Sequence, residues 1–333
     1  MESRQERTLP CLAVAETDLR PTVIGLGTGS FGTAVPEDAA FALLDRYVEL
    51  GGNHVDTAHV YAAWVPGGAG ASERTIGKWM ASRGARGQVL LATKGAHHDI
   101  DTYEKRMTAE AIRRDLHESL DRLGTDRVDL YWLHRDDENV PVGEILGWLG
   151  EHIAAGLIGA IGCSNWSTAR QREANRWAAA HGLVDFAAGQ VRWSLAEHRL
   201  PPGDTGSGMV GMDDEMFAWH VESGRPVFAY SSQARGFFSG RYAPGSQPGD
   251  PDIREDVLTC YGSAANFRRL AAAQRLAAEQ GRTANQVALA WVLHQPVPTC
   301  ALIGPRTIAQ LEDSCAAGSI ALSSDALGEF RDA

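Results

Sequence analysis

One pattern constrains this chain more than any other. A short apolar run, a polar loop, an amphipathic stretch and a glycine recur along its 333 residues. Eight apolar runs read as buried strands, over residues 23–27, 53–56, 89–94, 128–134, 158–164, 186–190, 227–231 and 299–303. The stretches between them read as helices. The first has Pro36 where the opening turn tolerates proline, then Glu37 and Asp38 to complement the helix dipole. Ala40, Leu43, Leu44, Tyr47 and Val48 form its apolar stripe, and Gly51 ends it. Ile112, Leu116, Leu120 and Leu123 form a second stripe, ended by Gly124. Later helices are expected to stop near Gly84, Gly156, Gly182, Gly224, Gly281 and Gly318, since glycine takes the left-handed closing conformation without a Cβ penalty. Strands alternating with helices imply parallel pairing. Eight such units need ~250 residues before insertions. The expectation is therefore a single-domain (β/α)8 TIM barrel over residues 1–333, with residues 1–20 an N-terminal extension or cap. Three Gly- and Pro-rich segments, 62–71, 201–211 and 241–262, are expected as loops after strands, on the face where barrels bind substrates.

Charge and cysteine usage exclude several classes. The net charge of -11 disfavours nucleic acid, so any site for an anionic cofactor must be a local basic patch. Cys11, Cys163, Cys260, Cys300 and Cys315 are odd in number and contain no C-x-x-C, which argues against a disulfide framework or a zinc site. The segment MESRQERTLP lacks the apolar stretch of a secretion signal, and no run is long enough to span a bilayer. A cytoplasmic protein without metal is expected. His97-His98-Asp99 reads as a solvated loop, and Arg135-Asp136-Asp137 as an exposed charged loop near the mouth.

Gly27-Thr-Gly-Ser-Phe-Gly32 matches G-x-G-x-x-G after a strand, and Asp56 ends the next strand, so a dinucleotide-binding open sheet competes. That fingerprint must open directly into a helix, whose N-terminus meets the pyrophosphate. Here Thr33, Ala34 and Val35 intervene before Pro36, which favours a glycine-rich loop at a barrel mouth.

The strand ends carry the chemistry. They bear Asp56, Lys94, His134, Ser164-Asn165, Gln190 and Tyr230-Ser231. Singly, Asp56 and Lys94 fit a structural ion pair, Tyr61 a surface loop, and His134 a satisfied histidine. Together on successive strands they mark the C-terminal rim, where barrels place active sites. These segments resemble the aldo-keto reductase family. Asp56-Thr-Ala-His-Val-Tyr61 is similar to its D-T-A-x-x-Y segment, Ala92-Thr-Lys-Gly95 to its lysine strand, Asp129-Leu-Tyr-Trp-Leu-His134 to its histidine strand, and Gly162-Cys-Ser-Asn-Trp166 to its G-x-S-N-[FW] segment.

The resemblance implies NADPH-dependent reduction of an aldehyde or ketone. Tyr61 would be the general acid, with its pKa brought down by Lys94. Asp56 would orient Lys94, and His134 would hold the substrate oxygen. Ser164, Asn165 and Gln190 would hold the nicotinamide carboxamide, with Tyr230 stacked on its ring. Gly27, Thr28, Asp56, Ser231, Gln233, Arg235 and Arg241 would line the cofactor. The segment from Leu302 to Ser314 would take the adenosine end through Gly304, Arg306, Gln310 and Asp313, with Arg306 on the 2′-phosphate. The chain departs from the family at Ser232-Gln233 for Pro-Leu, at Asp313-Ser314 for Glu-Asn, and at Gly29 for a tryptophan. Gly29 removes a bulky wall, which points to a larger or more polar substrate. Trp64, Trp166 and Trp193 are candidates to rebuild it, with at least one of them expected to pack in the core instead. Two other functions fit the same residues: a cofactor-binding regulatory subunit without turnover, and a lyase using Lys94 as a Schiff-base nucleophile.

Overall fold

The apolar runs do form strands, and they close on themselves. In the computed structural model, which describes residues 9–14, 16–200 and 208–332, the strands are β1 Ile24–Gly27, β2 His54–Asp56, β3 Leu90–Gly95, β4 Val128–Leu133, β5 Ile158–Ser164, β6 Phe186–Arg192, β7 Val227–Tyr230 and β8 Thr299–Ile303. They pair in parallel in chain order, and β8 pairs with β1 to complete an eight-stranded barrel. β2, β6 and β8 are buried at every position. This suits parallel strands covered on both faces. A closed barrel excludes the open dinucleotide-binding sheet. The glycine fingerprint instead makes a tight turn, with Gly32 at φ +73° and Phe31 bridging Val35, before the first helix begins at Glu37.

Helices α1 Glu37–Glu49, α2 Ala71–Arg83, α3 Ala109–Leu123, α4 Val142–Ala154, α5 Thr168–His181 and α6 Asp214–Ser223 follow the first six strands in turn. Three helices, α7 Glu255–Tyr261, α8 Ala264–Gln280 and α9 Ala284–Leu293, lie between β7 and β8. α10 Ile308–Ala316 and α11 Ser324–Asp332 follow β8. Side chains of Thr108, Ser167, Asp213, Ser263, Thr283 and Thr307 accept from backbone N–H groups at helix starts, satisfying donors that have no intrahelical partner. Left-handed glycines close α2, α3, α5, α6 and α8. Gly318 does not act this way. A short 3-10 turn over Ala317–Ser319 continues α10, and a Cβ on Gly318 would meet Leu9 at 2.9 Å. Its small size makes room for the N-terminal segment.

Five strands, β1, β2, β3, β4 and β7, differ from expectation by one residue at one or both ends, and two segments differ more. The 241–262 segment is not all loop: α7 forms within it and buries Val257, Cys260 and Tyr261 against Phe237 and Tyr242. β6 runs on to Arg192, because Arg192 pairs with Tyr230 of β7 and bridges Gly211. Of the 201–211 loop, residues 201–207 lie outside the described residues.

The barrel interior is filled by rings facing small residues. Phe228 packs 5.1 Å from His54 and 5.0 Å from Trp132. A Cβ on Gly25 would lie 2.6 Å from His54, and one on Gly162 would lie 2.3 Å from Trp132. The N-terminal end is covered by an antiparallel turn in which Cys11 bridges Thr22, and Leu12 and Val14 join the interior cluster. That leaves the opposite rim for ligands. Among the described residues no helix is long and apolar enough to cross a membrane.

Candidate active site

Asp56 ends β2, Lys94 stands one residue before the end of β3, and His134 follows β4 directly. Tyr61 lies in the turn after β2. That turn is tied to the next strand by Thr57 N–H to the Ala92 carbonyl and His59 N–H to the Lys94 carbonyl, both 2.9 Å. The four side chains meet. Lys94 Nζ donates to the Asp56 carboxylate, to the Thr57 carbonyl at 2.8 Å and to Tyr61 Oη at 3.0 Å. Gln190 Nε2 donates to the other Asp56 oxygen at 3.0 Å. The Tyr61 and His134 rings lie edge to face, 6.0 Å apart.

Several residues of this rim hold the left-handed backbone without being glycine. They are Ala62, Ala96, Asn165, Ser231, Ala234 and Arg235. Such positions cost of order 1–3 kcal/mol each and concentrate at functional sites.

Burial decides the proton inventory. It pushes the Tyr61 phenol above its ordinary value, more than the Lys94 ammonium pulls it down. The expectation of a lowered tyrosine is thus corrected: Tyr61 is held neutral, and Lys94 reduces the size of the rise. For Lys94, burial works against the charge, but the Asp56 carboxylate and Tyr61 outweigh it and leave the ammonium favoured. Burial, with the Arg135, His97 and Lys94 charges, drives His134 well below the usual imidazole range, so it stays neutral. Its Nδ1 is buried without a partner among the described residues.

A cleft of about 1140 Å³ runs from Asp56 and Tyr61 past the ends of β7 and β8 to the starts of α9 and α10. Gly27, Tyr230, Ser231, Gln233, Arg235, Arg241, Gly304, Arg306, Gln310 and Asp313 line it. Other anticipated residues do not. Thr28 is fully buried and acts as a latch, donating to the Asp56 carbonyl at 3.0 Å and meeting Ser72 at 2.9 Å. Ser164, Asn165 and Gln190 are buried and bonded within the rim. Asn165 Oδ1 accepts from Tyr230 Oη at 2.7 Å, and Asn165 Nδ2 donates to the His134 carbonyl and to Ser164 Oγ. Asp313 lines the cleft, but Thr283, Asn285 and Gln286 already donate to its carboxylate.

The departures from the family pattern turn out to be partners. Gln233 Nε2 donates to Ser314 Oγ at 2.9 Å and to Asn285 Oδ1 at 3.0 Å. Ser232, in place of proline, donates to the Leu302 carbonyl at 2.7 Å. Gly29 faces Tyr61, whose ring lies 3.8 Å from where a Cβ would sit.

Sequence reasoning missed Arg254, Arg282, Thr283 and Asn285, all in the cleft wall. The Thr283-x-x-Gln286 capping box was a legible sign that a helix starts there. Trp166 and Trp193 do not rebuild the missing wall. Trp166 is buried 5.0 Å from Phe186, and Trp193 packs against Phe217 and Trp291. Trp64 is 58% exposed, edge-on to Tyr61 at 6.2 Å. His97 is not a solvated loop residue either, since its ring packs 4.7 Å from His134.

A closed parallel (β/α)8 barrel with polar side chains gathered at the C-terminal rim is the layout of a barrel enzyme. The chain belongs to the aldo/keto reductase family, whose model matches residues 23–333. It is 30% identical over 325 residues to the uncharacterized oxidoreductase YrpG of Bacillus subtilis, covering 96% of this chain and 94% of that one. It is 28% identical to norsolorinic acid reductase stcV of Emericella nidulans, covering 94% and 78%. It is 27% identical to the aldo-keto reductase yakc [NADP(+)] of Schizosaccharomyces pombe, covering 94% and 88%. The family makes this chain an oxidoreductase of the carbonyl-reducing kind.

Proposed function

We propose that this protein reduces an aldehyde or ketone to the alcohol using NADPH, with Tyr61 as general acid. The observation that carries this reading is the double role of Lys94 Nζ, bonded at once to Asp56 and to Tyr61 Oη. A neutral phenol holds the proton the reduced oxygen needs. An ammonium 3.0 Å away stabilises the phenolate as that proton leaves. Asp56 keeps Lys94 charged and fixed, with Gln190 steadying the carboxylate. His134, kept neutral, donates a hydrogen bond to the carbonyl oxygen and sets its approach to Tyr61. The same ammonium state argues against a Schiff base on Lys94, which requires a free amine. The presence of all four side chains weighs against a silent regulatory role.

The cleft suits a dinucleotide phosphate. Five arginines line it on a chain of net charge -11: Arg235, Arg241, Arg254, Arg282 and Arg306. Arg235 and Arg254 share Asp256. Arg282 and Arg306 pair with no described carboxylate and line the same cleft as Gln310 and Asp313. NADPH would supply the hydride to the carbonyl carbon. Gly304, beside which a Cβ would meet nothing within 4 Å, leaves its backbone open to the cleft. Arg306 and Arg282 are the groups for the 2′-phosphate, which a guanidinium fork binds bidentately. The free thiols and the acidic surface support a cytoplasmic location.

Titrating the protein with NADPH and NADH, followed by tryptophan fluorescence, tests the cofactor. NADPH is expected to bind more tightly. Arg306→Ala is expected to weaken NADPH by about tenfold, the worth of one charge-assisted hydrogen bond, and NADH far less. Equal loss for both cofactors would remove Arg306 from the 2′-phosphate.

A further inference from the structure

His134-Arg135-Asp136-Asp137 looks like an ordinary charged loop, yet the fold separates its charges. Asp136 pairs with Arg170 at 3.0 Å, and Asp137 with Lys105 at 3.3 Å. Arg135 turns away from both and is only 8% exposed. Its Nη1 donates to the His134 carbonyl at 2.9 Å, and its Nε is buried without a partner. It makes no ion pair with any described carboxylate. A guanidinium cannot shed its proton, and burying one unpaired costs several kcal/mol. Burial pulls Arg135 below its ordinary range, and the ionisable groups that act on it are Tyr230, Tyr61 and Arg192. It follows His134 directly in the chain and bonds to that residue's carbonyl, which places it at the catalytic corner.

Arg192, at the end of β6, repeats the situation. It is 9% exposed, and its guanidinium lies 5.9 Å from the Tyr230 ring centre. It bonds to His198 Nδ1 at 2.6 Å and Met209 Sδ at 3.2 Å, and to no described carboxylate. Asp56, the acid nearest the reacting groups, is committed to Lys94 and Gln190. Among the described residues, the corner thus holds two guanidiniums and an ammonium, with the Asp56 carboxylate committed to Lys94.

We propose that Arg135, supported by Arg192, recognises a carboxylate on the substrate, so that the preferred substrates are carbonyl compounds carrying a carboxylate within reach of Tyr61. The planar fork offers a carboxylate two parallel hydrogen bonds, and the substrate supplies a counter-ion that none of the described residues provides. The proposal rests on the reading of Tyr61 as the acid at the carbonyl.

Two measurements keep the two readings distinguishable. In the first, benzoate and benzamide are titrated calorimetrically into the protein with NADP+ present, so no turnover is needed. Benzoate is expected to bind about tenfold more tightly, the scale of one charge-assisted hydrogen bond. Arg135→Met is expected to abolish the difference, and Arg135→Lys to retain part of it. Equal binding of the two ligands, or a difference that survives Arg135→Met, overturns the carboxylate site. In the second, kcat/KM is compared for a formylbenzoate and its methyl ester. The acid-to-ester ratio is expected at about ten or more, falling towards unity in Arg135→Met. Turnover of both without preference overturns the carboxylate site and leaves carbonyl reduction standing. Benzoate selectivity without turnover of either aldehyde supports the site and overturns the reduction reading.

Discussion

Replacing Tyr61 with phenylalanine is expected to lower kcat/KM for carbonyl reduction by about 10²–10⁴, the range for removing a positioned general acid. Only the hydroxyl is lost, so the ring keeps its place over Lys94 Nζ, 4.6 Å from the ring centre, and beside His134. NADPH affinity, measured by fluorescence quenching, is expected to change little. Retained turnover in Tyr61→Phe would remove the phenol from the proton path. The pH profile gives an independent check. Burial raises the Tyr61 phenol above its ordinary value of 10.0, so the group stays protonated through neutral and mildly alkaline pH. Burial likewise drives His134 well below 6.5, so it adds no acid limb near that pH. Reduction is therefore expected to hold level through neutrality and to decline only at strongly alkaline pH. A step centred near 6.5 would assign His134 a charged role that its surroundings oppose.

The second large effect concerns Asp56 and Lys94. Their side chains are each about 1% exposed, and each is the other's counter-charge. Breaking a buried pair by removing one partner costs about 3–5 kcal/mol, because the survivor is left charged and dry. Asp56→Asn and Lys94→Met are each expected to lose about that much in urea unfolding. The double replacement should recover part of the loss, since it leaves no orphan charge. All three variants are expected to be inactive. Stability that returns while activity does not would separate the pair's structural role from its chemical one. Full additivity of the two single losses would show that the pair does not act as a unit.

Much of this was legible before any coordinates. The alternation of apolar runs with glycine-ended helices set out all eight strands, two of them, β5 and β8, to the residue. The polar residues at the strand ends did converge on one rim. Local pattern carries such information because strand direction and helix capping are decided within a few residues. What escaped was decided over long distances. Whether Thr28 faces the cleft or Ser72, whether Asp136 pairs with Arg135 or with Arg170, and whether Trp166 lines a pocket or packs on Phe186 all depend on chain that arrives from elsewhere. The net shift of Tyr61 is of the same kind. Its partner Lys94 is evident in the sequence, but the burial that outweighs it is a property of the closed barrel. Gln233 and Ser314 make the point in reverse. Each looks like an isolated departure, and only the fold shows them hydrogen-bonded to each other.

The most direct test of the central claim is to follow the label. The protein is mixed with an aromatic aldehyde and NADPH deuterated at its transferable position, and the alcohol product is analysed by mass spectrometry. Deuterium recovered in the alcohol, with the labelled alcohol formed about 10²–10⁴ more slowly in Tyr61→Phe, is the expected result. An alcohol free of deuterium, or no alcohol from any aldehyde or ketone tried with bound NADPH, would contradict it.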